Sequence, residues 1–415
     1  MSFKDAQLFP LDPHTLDLDA ESAELRKRGP LVPIELPGGV AAWVTTDYES
    51  ARTALSHPQL GKAMTHWRAW MEGEIPKDWP FLGLVRGTGM LHSDGDDHRR
   101  IRKLVAPAFT GERIEALQPK IVGVAERLVA DLAATGAGEI VDLRERFAYP
   151  LPMRVICEYM GVDDNSSARL RQPFDRLLMV STPEEAVAAE ESIQVVLREL
   201  IRFKRANPGT DLGTALIQAR DNDDRLDEQE LVDNLRLVIS AGHETTVNLI
   251  ASTVKALLEN PGQLALLRDG TYPWSRAVEE GLRYAGPVRY ALMRYAVEDT
   301  TIAGVVIPKG DPVVVALAAA GRDPGKCPAG EASMDSFDIT RAQSPHLAFG
   351  HGAHHCPGTA LARAEAEVAL STLFGRFPDL ALADTDIAPL QSIALQGIGN
   401  LPVHLNGRHG GSPTA

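Results

Sequence analysis

Helical periodicity dominates this chain of 415 residues. Apolar side chains recur at three- and four-residue spacing in six segments, and this spacing predicts helices. The predicted helices cover residues 112–134, 184–206, 227–258, 261–267, 275–284 and 359–377. Strand signals are short, and they fall at residues 32–36, 42–45, 299–306 and 313–316. The pattern predicts an α-rich α+β fold, in which a small mixed sheet lies beside a large helical body.

Charge and composition argue against several classes of partner. The formal net charge of −14 disfavours a nucleic-acid partner and an anionic membrane, because both favour a positive surface. The first residues show no basic segment followed by an apolar one, and no window approaches the ~20 apolar residues that span a bilayer. We therefore expect a cytoplasmic protein, and the Gly-rich end predicts a disordered tail over 407–415. The length suits either two to three average domains or one large, single domain over residues 1–406.

Of the three cysteines, Cys356 most needs an explanation. An odd number of cysteines at wide spacing is not typical of a disulfide framework. Cys356 lies in segment 349–358, which contains three glycines and directly precedes a predicted helix, where free N–H groups and the helix dipole stabilise a thiolate. Three interpretations stay open, namely an incidental cysteine in a turn, a nucleophile and a metal ligand. A zinc site would use His351, His354, His355 and Cys356, but four ligands within six residues are not typical of structural zinc.

Segment 349–358 resembles the haem-binding loop of cytochromes P450 position for position. The matching residues are Phe349, Gly350, Gly352, His354, Cys356 and Gly358. The resemblance implies that Cys356 is the axial thiolate of haem b, which donates electron density to the iron and favours O–O cleavage. It also implies that Phe349, Gly350 and Gly358 bind the cofactor and that His354 contacts a haem propionate.

Glu280-Gly281-Leu282-Arg283 matches a second element of the same family pattern. At positions i and i+3 of a helix, Glu280 and Arg283 can pair on one face, although most such pairs lie on protein surfaces. The resemblance implies instead a buried structural pair that is tied to the loop before the cysteine. We predict Arg322 or Arg341 as its third member.

Residues 241–246, Ala-Gly-His-Glu-Thr-Thr, interrupt a long apolar helix. Glycine lowers helix propensity and threonine can bond to a preceding carbonyl, so we expect the helix to open or bulge there, unless the segment is only a solvent-facing polar turn. The resemblance implies that Thr245 positions dioxygen, that Glu244 relays protons and that Ala241 leaves space over the iron. His243 has no role in the family pattern, and we expect it to face outward.

Basic residues complete the resemblance. His98 and Arg102, one helical turn apart, and Arg294 match the family's contacts to the haem propionates. Further basic side chains near the cysteine predict a local positive patch that docks an acidic ferredoxin or flavodoxin-like electron donor. These residues are Arg99, Arg100, Lys103 and Arg363.

The resemblance also indicates where a substrate would bind. The candidate pocket residues are Trp67, Trp70, Trp79, Leu177, Met179, Leu237, Ser240, Ala241, Val288, Tyr290, Ala291, Leu292, Gln396 and Ile398. The set is mostly apolar, which favours a sizeable hydrophobic ligand with a few polar anchors, although the tryptophans fit a core role equally well.

The chain is most similar to soluble actinobacterial members of the family that use O2 to hydroxylate steroids, macrolides and other secondary metabolites. Some members instead couple aromatic natural products, such as tryptophan-containing cyclic dipeptides, through C–C or C–N bonds. A peroxide-driven or isomerising haem-thiolate enzyme and a haem-binding sensor are further alternatives. His355 stands where an apolar residue or Gln is common in the family, and a polar neighbour of this kind tunes a metal ligand.

Overall fold

The structure is a computed structural model that describes residues 3, 6–15, 17–136, 138–178, 182–223, 226–328, 331–342 and 345–407. Its helices are α1 (Leu18–Arg28), α2 (Tyr48–Ser56), α3 (Arg68–Met71), α4 (Leu82–Val85), α5 (Gly95–Val105), α6 (Gly111–Ala133), α7 (Pro150–Met160), α8 (Asp164–Leu178), α9 (Pro183–Ala206), α10 (Leu212–Asp223), α11 (Glu228–Glu259), α12 (Pro261–Arg268), α13 (Trp274–Tyr284), α14 (Leu317–Gly321) and α15 (Thr359–Arg376). Its strands are β1 (Phe9–Pro10), β2 (Leu31–Leu36), β3 (Val40–Thr45), β4 (Leu60–Gly61), β5 (Ile140–Asp142), β6 (Tyr290–Ala296), β7 (Thr300–Ile302), β8 (Val305–Ile307), β9 (Pro312–Ala316), β10 (Ala381–Leu382) and β11 (Pro402–His404). Residues 408–415 of the predicted tail lie outside the described residues.

Six strands form the main sheet in the order β1-β2-β3-β9-β6-β4. Strands β2 and β3 form an antiparallel hairpin, whereas β3 and β9, which are distant in sequence, pair in parallel. The antiparallel register between β6 and β9 shifts between Ala291 and Arg294, which marks a β-bulge. Bulges redirect side chains, and this one lies in the strand that faces the cavity described below.

Helix α11 passes through the main hydrophobic core. It begins with a capping box, in which the Asp227 side chain accepts from the Glu230 N–H and the Glu230 side chain accepts from the Asp227 N–H. The helix contacts α7, α9, α13 and α15, so most of its residues are buried on more than one face. A helix surrounded in this way gives a rigid support to any side chain that it presents to a cavity.

The predicted fold class is confirmed, and each of the six predicted helices begins and ends within one residue of an observed helix. Helix α1 escaped prediction because it buries only Leu25 and therefore has no apolar stripe. The prediction of one strand over 299–306 is wrong. Ala303 and Gly304 both have positive φ, 48° and 80°, so the chain reverses between β7 and β8 in a two-residue hairpin.

Candidate active site

A large cavity lies between α11 and the loop that precedes α15. It contains about 1780 Å³ of space outside protein atoms, part of it open to solvent. Ala241 and Thr245 line it from α11, Tyr290 and Leu292 from β6, and Cys356 from the loop. Because its walls come from a helix, a strand and the cysteine loop, a ligand in this cavity would contact all three elements.

The backbone of the cysteine loop folds back on itself. Gly350 and Gly352 have φ values of 72° and 77°, a region in which a Cβ atom is strained. The Cys356 N–H donates to the Phe349 carbonyl at 2.9 Å, and the Thr359 hydroxyl donates to the Cys356 carbonyl at 2.8 Å. These bonds fix Cys356 at the wall of the cavity, shortly before α15 begins at Thr359.

Burial acts against ionisation of the Cys356 thiol. Burial raises its pKa above the ordinary value and outweighs the opposing effects of the Gly358 N–H, the Thr359 hydroxyl and Arg102. The stabilisation of a thiolate expected from the N–H groups before the helix is present, at Gly358, but burial outweighs it. A coordinated metal ion deprotonates a thiol outright, so this buried sulfur fits an iron ligand better than a free nucleophile.

The zinc hypothesis is wrong for the part of the chain that the structure describes. No group of three or more His, Cys, Asp or Glu side chains there is arranged to hold a metal ion. Within the same loop the His354 ring is tilted by 42° to the ring of His98, with centroids 4.1 Å apart, and His355 is exposed. The ligands that the sequence places close together therefore point in different directions.

The four predicted propionate contacts meet at one edge of the cavity. They are His98, Arg102, Arg294 and His354. Arg294 is only 6 % exposed, and burial lowers its pKa to about 10. Nε2 of His98 is buried with no hydrogen-bond partner among the described residues. Burial, followed by the charge of Arg294, lowers the pKa of His354 to about 2.

A cluster of basic side chains around a buried guanidinium, that of Arg294, is stable only beside an anion. Arg294 forms no ion pair with any carboxylate of the described residues, and Arg102 donates to a carbonyl, that of His355, at 2.7 Å. The cluster therefore fits a ligand that brings its own carboxylates to this edge of the cavity. The two propionates of haem have this chemistry, and the Cys356 sulfur lies on the wall of the same cavity.

Helix α11 is continuous through residues 241–246, so the predicted opening of the helix is wrong. A Cβ atom on Gly242 would lie 2.9 Å from Ile156 of α7, so this glycine permits close helix packing. The predicted bond from threonine to a preceding carbonyl is present, because the Thr245 hydroxyl donates to the Ala241 carbonyl at 2.7 Å. Thr245 therefore presents its oxygen to the cavity as an acceptor.

Glu244 lies beside Thr245 in sequence but does not line the cavity. Its carboxylate is 2 % exposed and forms an ion pair with Arg144, which stands just before α7. Asn248 donates to Oε1 at 3.4 Å, whereas Oε2 has no hydrogen-bond partner among the described residues and lies 3.9 Å from Nδ1 of His243. Burial raises the pKa of Glu244 to about 7, against the opposing effect of the Arg144 charge. A carboxyl with this pKa exchanges its proton near neutral pH.

His243 does not face outward as expected. It is 2 % exposed, its Nε2 lies 3.2 Å from the Tyr149 carbonyl, and its ring meets the ring of Tyr149 edge to face. Burial lowers its pKa to about 3. His243 is therefore a neutral residue that joins α11 to the start of α7.

The Glu280–Arg283 pair is fully buried, and Arg341 is confirmed as its third member. Arg283 binds the two carboxylate oxygens of Glu280 at 2.6 and 2.8 Å, and Nε of Arg341 lies 3.3 Å from Oε1. The two guanidinium groups also donate to carbonyls of the loop before the cysteine, at Gly321, Ala332, Ser333, Met334 and Ser336. Arg322 instead binds the Tyr284 carbonyl and Asp19.

Six of the predicted substrate contacts line the cavity, namely Leu237, Ala241, Val288, Tyr290, Ala291 and Leu292. Trp67 does not, because it is fully buried and packs on Tyr295 and Trp79, with ring centroids 5.6 and 5.9 Å apart. Leu177, Trp70 and Trp79 line a second cavity beside α9. Met179 lies outside the described residues.

Three further predicted contacts are absent from the lining of the main cavity. Ser240 donates to the Leu237 carbonyl at 3.4 Å, Gln396 donates its backbone N–H to Pro287 at 2.9 Å, and Ile398 is part of the main core. The prediction missed the lining residues Lys62, Leu84, Met90, Leu91, Val238 and Ala394. Most of them belong to segments without periodicity, which give no sequence signal for a shared wall.

The predicted positive patch is partly neutralised. Arg99 pairs with Asp96, Arg100 with Glu230, and Arg363 with Glu279 at half-exposed positions. Lys103 is exposed, and Arg99 keeps 69 % of its side-chain surface exposed despite its pair. Separately, no helix in the described part of the chain is long and apolar enough to cross a membrane.

Comparison with known proteins agrees with this geometry. The family model for cytochrome P450 matches residues 275–395. The chain is 38% identical over 406 residues to the 2-hydroxy-5-methyl-1-naphthoate 7-hydroxylase of Streptomyces carzinostaticus, covering 96% of this chain and 98% of the relative. It is 40% identical over 399 residues to the 6-deoxyerythronolide B hydroxylase of Saccharopolyspora erythraea, with 93% and 95% covered. Testosterone-bound CYP154C4 from Streptomyces sp. ATCC 11861 is 42% identical, with a TM-score of 0.93 and coverage of 98% and 100%. The chain belongs to the cytochrome P450 family.

Proposed function

We propose that this monooxygenase hydroxylates a medium-to-large hydrophobic natural product, with electrons supplied by a ferredoxin-type donor. The observation that supports this proposal most is the apolar part of the cavity wall, which Leu84, Met90, Leu237, Leu292 and Ala394 form together. The charged lining residues gather at the edge that fits the haem propionates. A substrate would therefore be selected mainly by its shape and apolar surface, with few polar anchors.

The chain holds and shields the cofactor through residues that are already in place. Haem is the cofactor of this enzyme, and when bound it supplies the activation of dioxygen. Cys356 provides the iron ligand, while Arg294, Arg102, His98 and His354 bind the propionates in this proposal. The apolar wall excludes water, so a proton enters through the few polar groups of α11.

The relatives suggest the class of substrate. Their names describe a naphthoate, a deoxyerythronolide and a testosterone complex, and each of these molecules joins a large apolar skeleton to a few oxygen substituents. The apolar wall fits this shared character. The same wall favours a steroid, a macrolide or a polycyclic aromatic over a small polar substrate, because it offers few polar partners.

A panel of ligands tests this proposal. The panel contains a steroid, a macrolide, a naphthoate and a cyclic dipeptide, and the measurement is the change from low to high spin in the visible spectrum. We expect at least one large apolar member to shift the spin state, and Leu237→Trp, which fills part of the cavity, to abolish that shift. Spin shifts caused only by small hydrophilic compounds would contradict the proposal.

Thr245→Ala is expected to divert electrons from product into hydrogen peroxide. The Thr245 hydroxyl uses its only proton on the Ala241 carbonyl, so its oxygen is left to accept a hydrogen bond in the cavity. Thr245→Ala removes this acceptor, and with it a fixed hydrogen-bond partner for the group that delivers the proton of the reaction. The measurement is product formed per reductant consumed, which we expect to fall about ten-fold, in line with one lost hydrogen bond. Thr245→Ser keeps the hydroxyl and should keep the yield, and unchanged coupling in Thr245→Ala would refute this role.

Arg99→Glu is expected to slow electron delivery by a ferredoxin-type donor. Arg99 is the most exposed of the patch arginines, so charge reversal changes the field there without breaking a buried contact. We expect a several-fold lower reduction rate at low salt and a smaller difference at high salt, because salt screens exposed charges. Arg169→Glu, another half-exposed paired arginine, is the control. Equal rates for Arg99→Glu and the unmodified protein at low salt would exclude this docking surface.

A further inference from the structure

Lys62 is a buried cation in the wall of the main cavity. It directly follows β4 and is only 5 % exposed. Its Nζ donates to the carbonyls of Leu292 and Met293 at 3.0 and 2.9 Å. Those carbonyls lie in the bulge of β6, where the ladder with β9 leaves them unpaired. An ammonium group has three donors, so one N–H remains after these two bonds.

The Lys62 ammonium forms no ion pair with any carboxylate of the described residues, although the Asp94 charge opposes the lowering of its pKa. The nearest acidic group, Asp94, accepts from the backbone N–H groups of Lys62 and Ala63 at 2.8 Å and forms no ion pair with the Lys62 ammonium. Burial, together with the charge of Arg294, lowers the pKa of Lys62 to about 7. A buried ammonium in this setting is costly unless an anion lies beside it.

The surroundings of Lys62 indicate which anion this is. Lys62 lines the same cavity as Arg294, His98 and His354, and its charge contributes to the lowered pKa of His354. The ammonium therefore stands at the edge where the cationic cluster gathers. We propose that Lys62 binds a carboxylate of the haem, as a fifth member of the group that holds the cofactor.

A purely structural role is the main competing explanation, because Lys62 also satisfies the two carbonyls of the bulge. Lys62→Gln separates the two roles. Its amide has two N–H donors for the Leu292 and Met293 carbonyls, but it has no charge. Lys62→Met removes both the donors and the charge, whereas Lys62→Arg keeps both. Lys309→Gln removes the charge of an exposed lysine and serves as the control.

The experiment measures haem release from the purified holoenzyme to an excess of a haem-scavenging apoprotein, without substrate. We expect Lys62→Gln and Lys62→Met to release haem roughly ten-fold faster, the loss typical of one charge-assisted hydrogen bond. Lys62→Arg and Lys309→Gln should stay close to the unmodified protein. Because substrate is absent, the result does not depend on the proposed substrate class.

Two results would overturn the proposal. If Lys62→Gln retains haem as the unmodified protein does and only Lys62→Met loses it, the residue merely holds the bulge. If both variants retain haem but bind the naphthoate of the panel more weakly than the unmodified protein does, while binding of its ester is unchanged, the anion that Lys62 binds belongs to the substrate. If Lys62→Met fails to fold, haem release from Lys62→Gln alone tests the role of the charge.

Discussion

Glu280→Ala is expected to lower the free energy of unfolding by about 3–5 kcal/mol, the loss typical of removing one partner from a buried charge network. The substitution leaves Arg283 and Arg341, both almost fully buried, without their shared carboxylate. It also removes the acceptor of the Asp338 N–H, which is bonded to Oε1 at 2.7 Å. The measurement is urea-induced unfolding of the holoenzyme followed by circular dichroism.

The neighbouring residue provides a matched control. Glu279 also pairs with an arginine, Arg363, but this pair is about one-third exposed. Solvent screens such a pair, so Glu279→Ala should cost no more than about 1 kcal/mol. Equal losses in the two variants would show that the Glu280 network does not anchor the loop before Cys356.

Glu244→Gln is expected to lower the turnover number about 100-fold, the size typical of losing a general acid. Burial raises the pKa of Glu244 to about 7, so the carboxyl is partly protonated at neutral pH and loses that proton as the pH rises. If the protonated carboxyl is the donor, turnover of the unmodified enzyme falls above about pH 7. Glu244→Gln cannot donate this proton and should lack that alkaline limb.

Arg144 gives an independent test of the same role. Its positive charge lowers the pKa of Glu244, so Arg144→Met should raise this pKa and move the alkaline limb to higher pH. The ion pair also has to open before the Glu244 carboxyl can face the cavity, and its removal should ease that rotation. Arg171→Met alters another cation close to Tyr149 without breaking the pair and is the control. An alkaline limb that stays in place in Arg144→Met would exclude Glu244 as the titrating donor.

The sequence predicted those parts of the site that lie in compact motifs. Cys356 and the Glu280–Arg283 pair could be predicted because each belongs to a short pattern with one recognisable spacing, whereas Arg341 was only one of two candidates for the third member. The prediction of Trp67 as a substrate contact was wrong, because aromatic residues in an aperiodic loop are as suitable for a core as for a pocket. Lys62 was missed because the carbonyls that it binds, in β6, are more than two hundred residues away in sequence.

Two predictions about α11 that rested on local sequence were also wrong. The prediction that Gly242 opens the helix followed from the low helix propensity of glycine. In the structure, a glycine is needed at this position because Ile156 approaches the backbone closely. His243 was expected to face outward because the helix pattern gives no sign of α7 on that side. Both errors arise from tertiary packing, which single-segment patterns do not encode.

The most direct test of thiolate ligation by Cys356 is the absorption spectrum of the reduced, carbon-monoxide-bound holoenzyme. Thiolate-ligated haem gives a red-shifted Soret band, and we expect this band in the unmodified protein. Cys356→His replaces the thiolate by an imidazole and should lose the red shift even where haem is retained, whereas Cys327→Ser, which alters a cysteine outside the cavity, should keep it. A red-shifted band that survives in Cys356→His, or its absence from the unmodified protein, would contradict the assignment of Cys356 as the iron ligand.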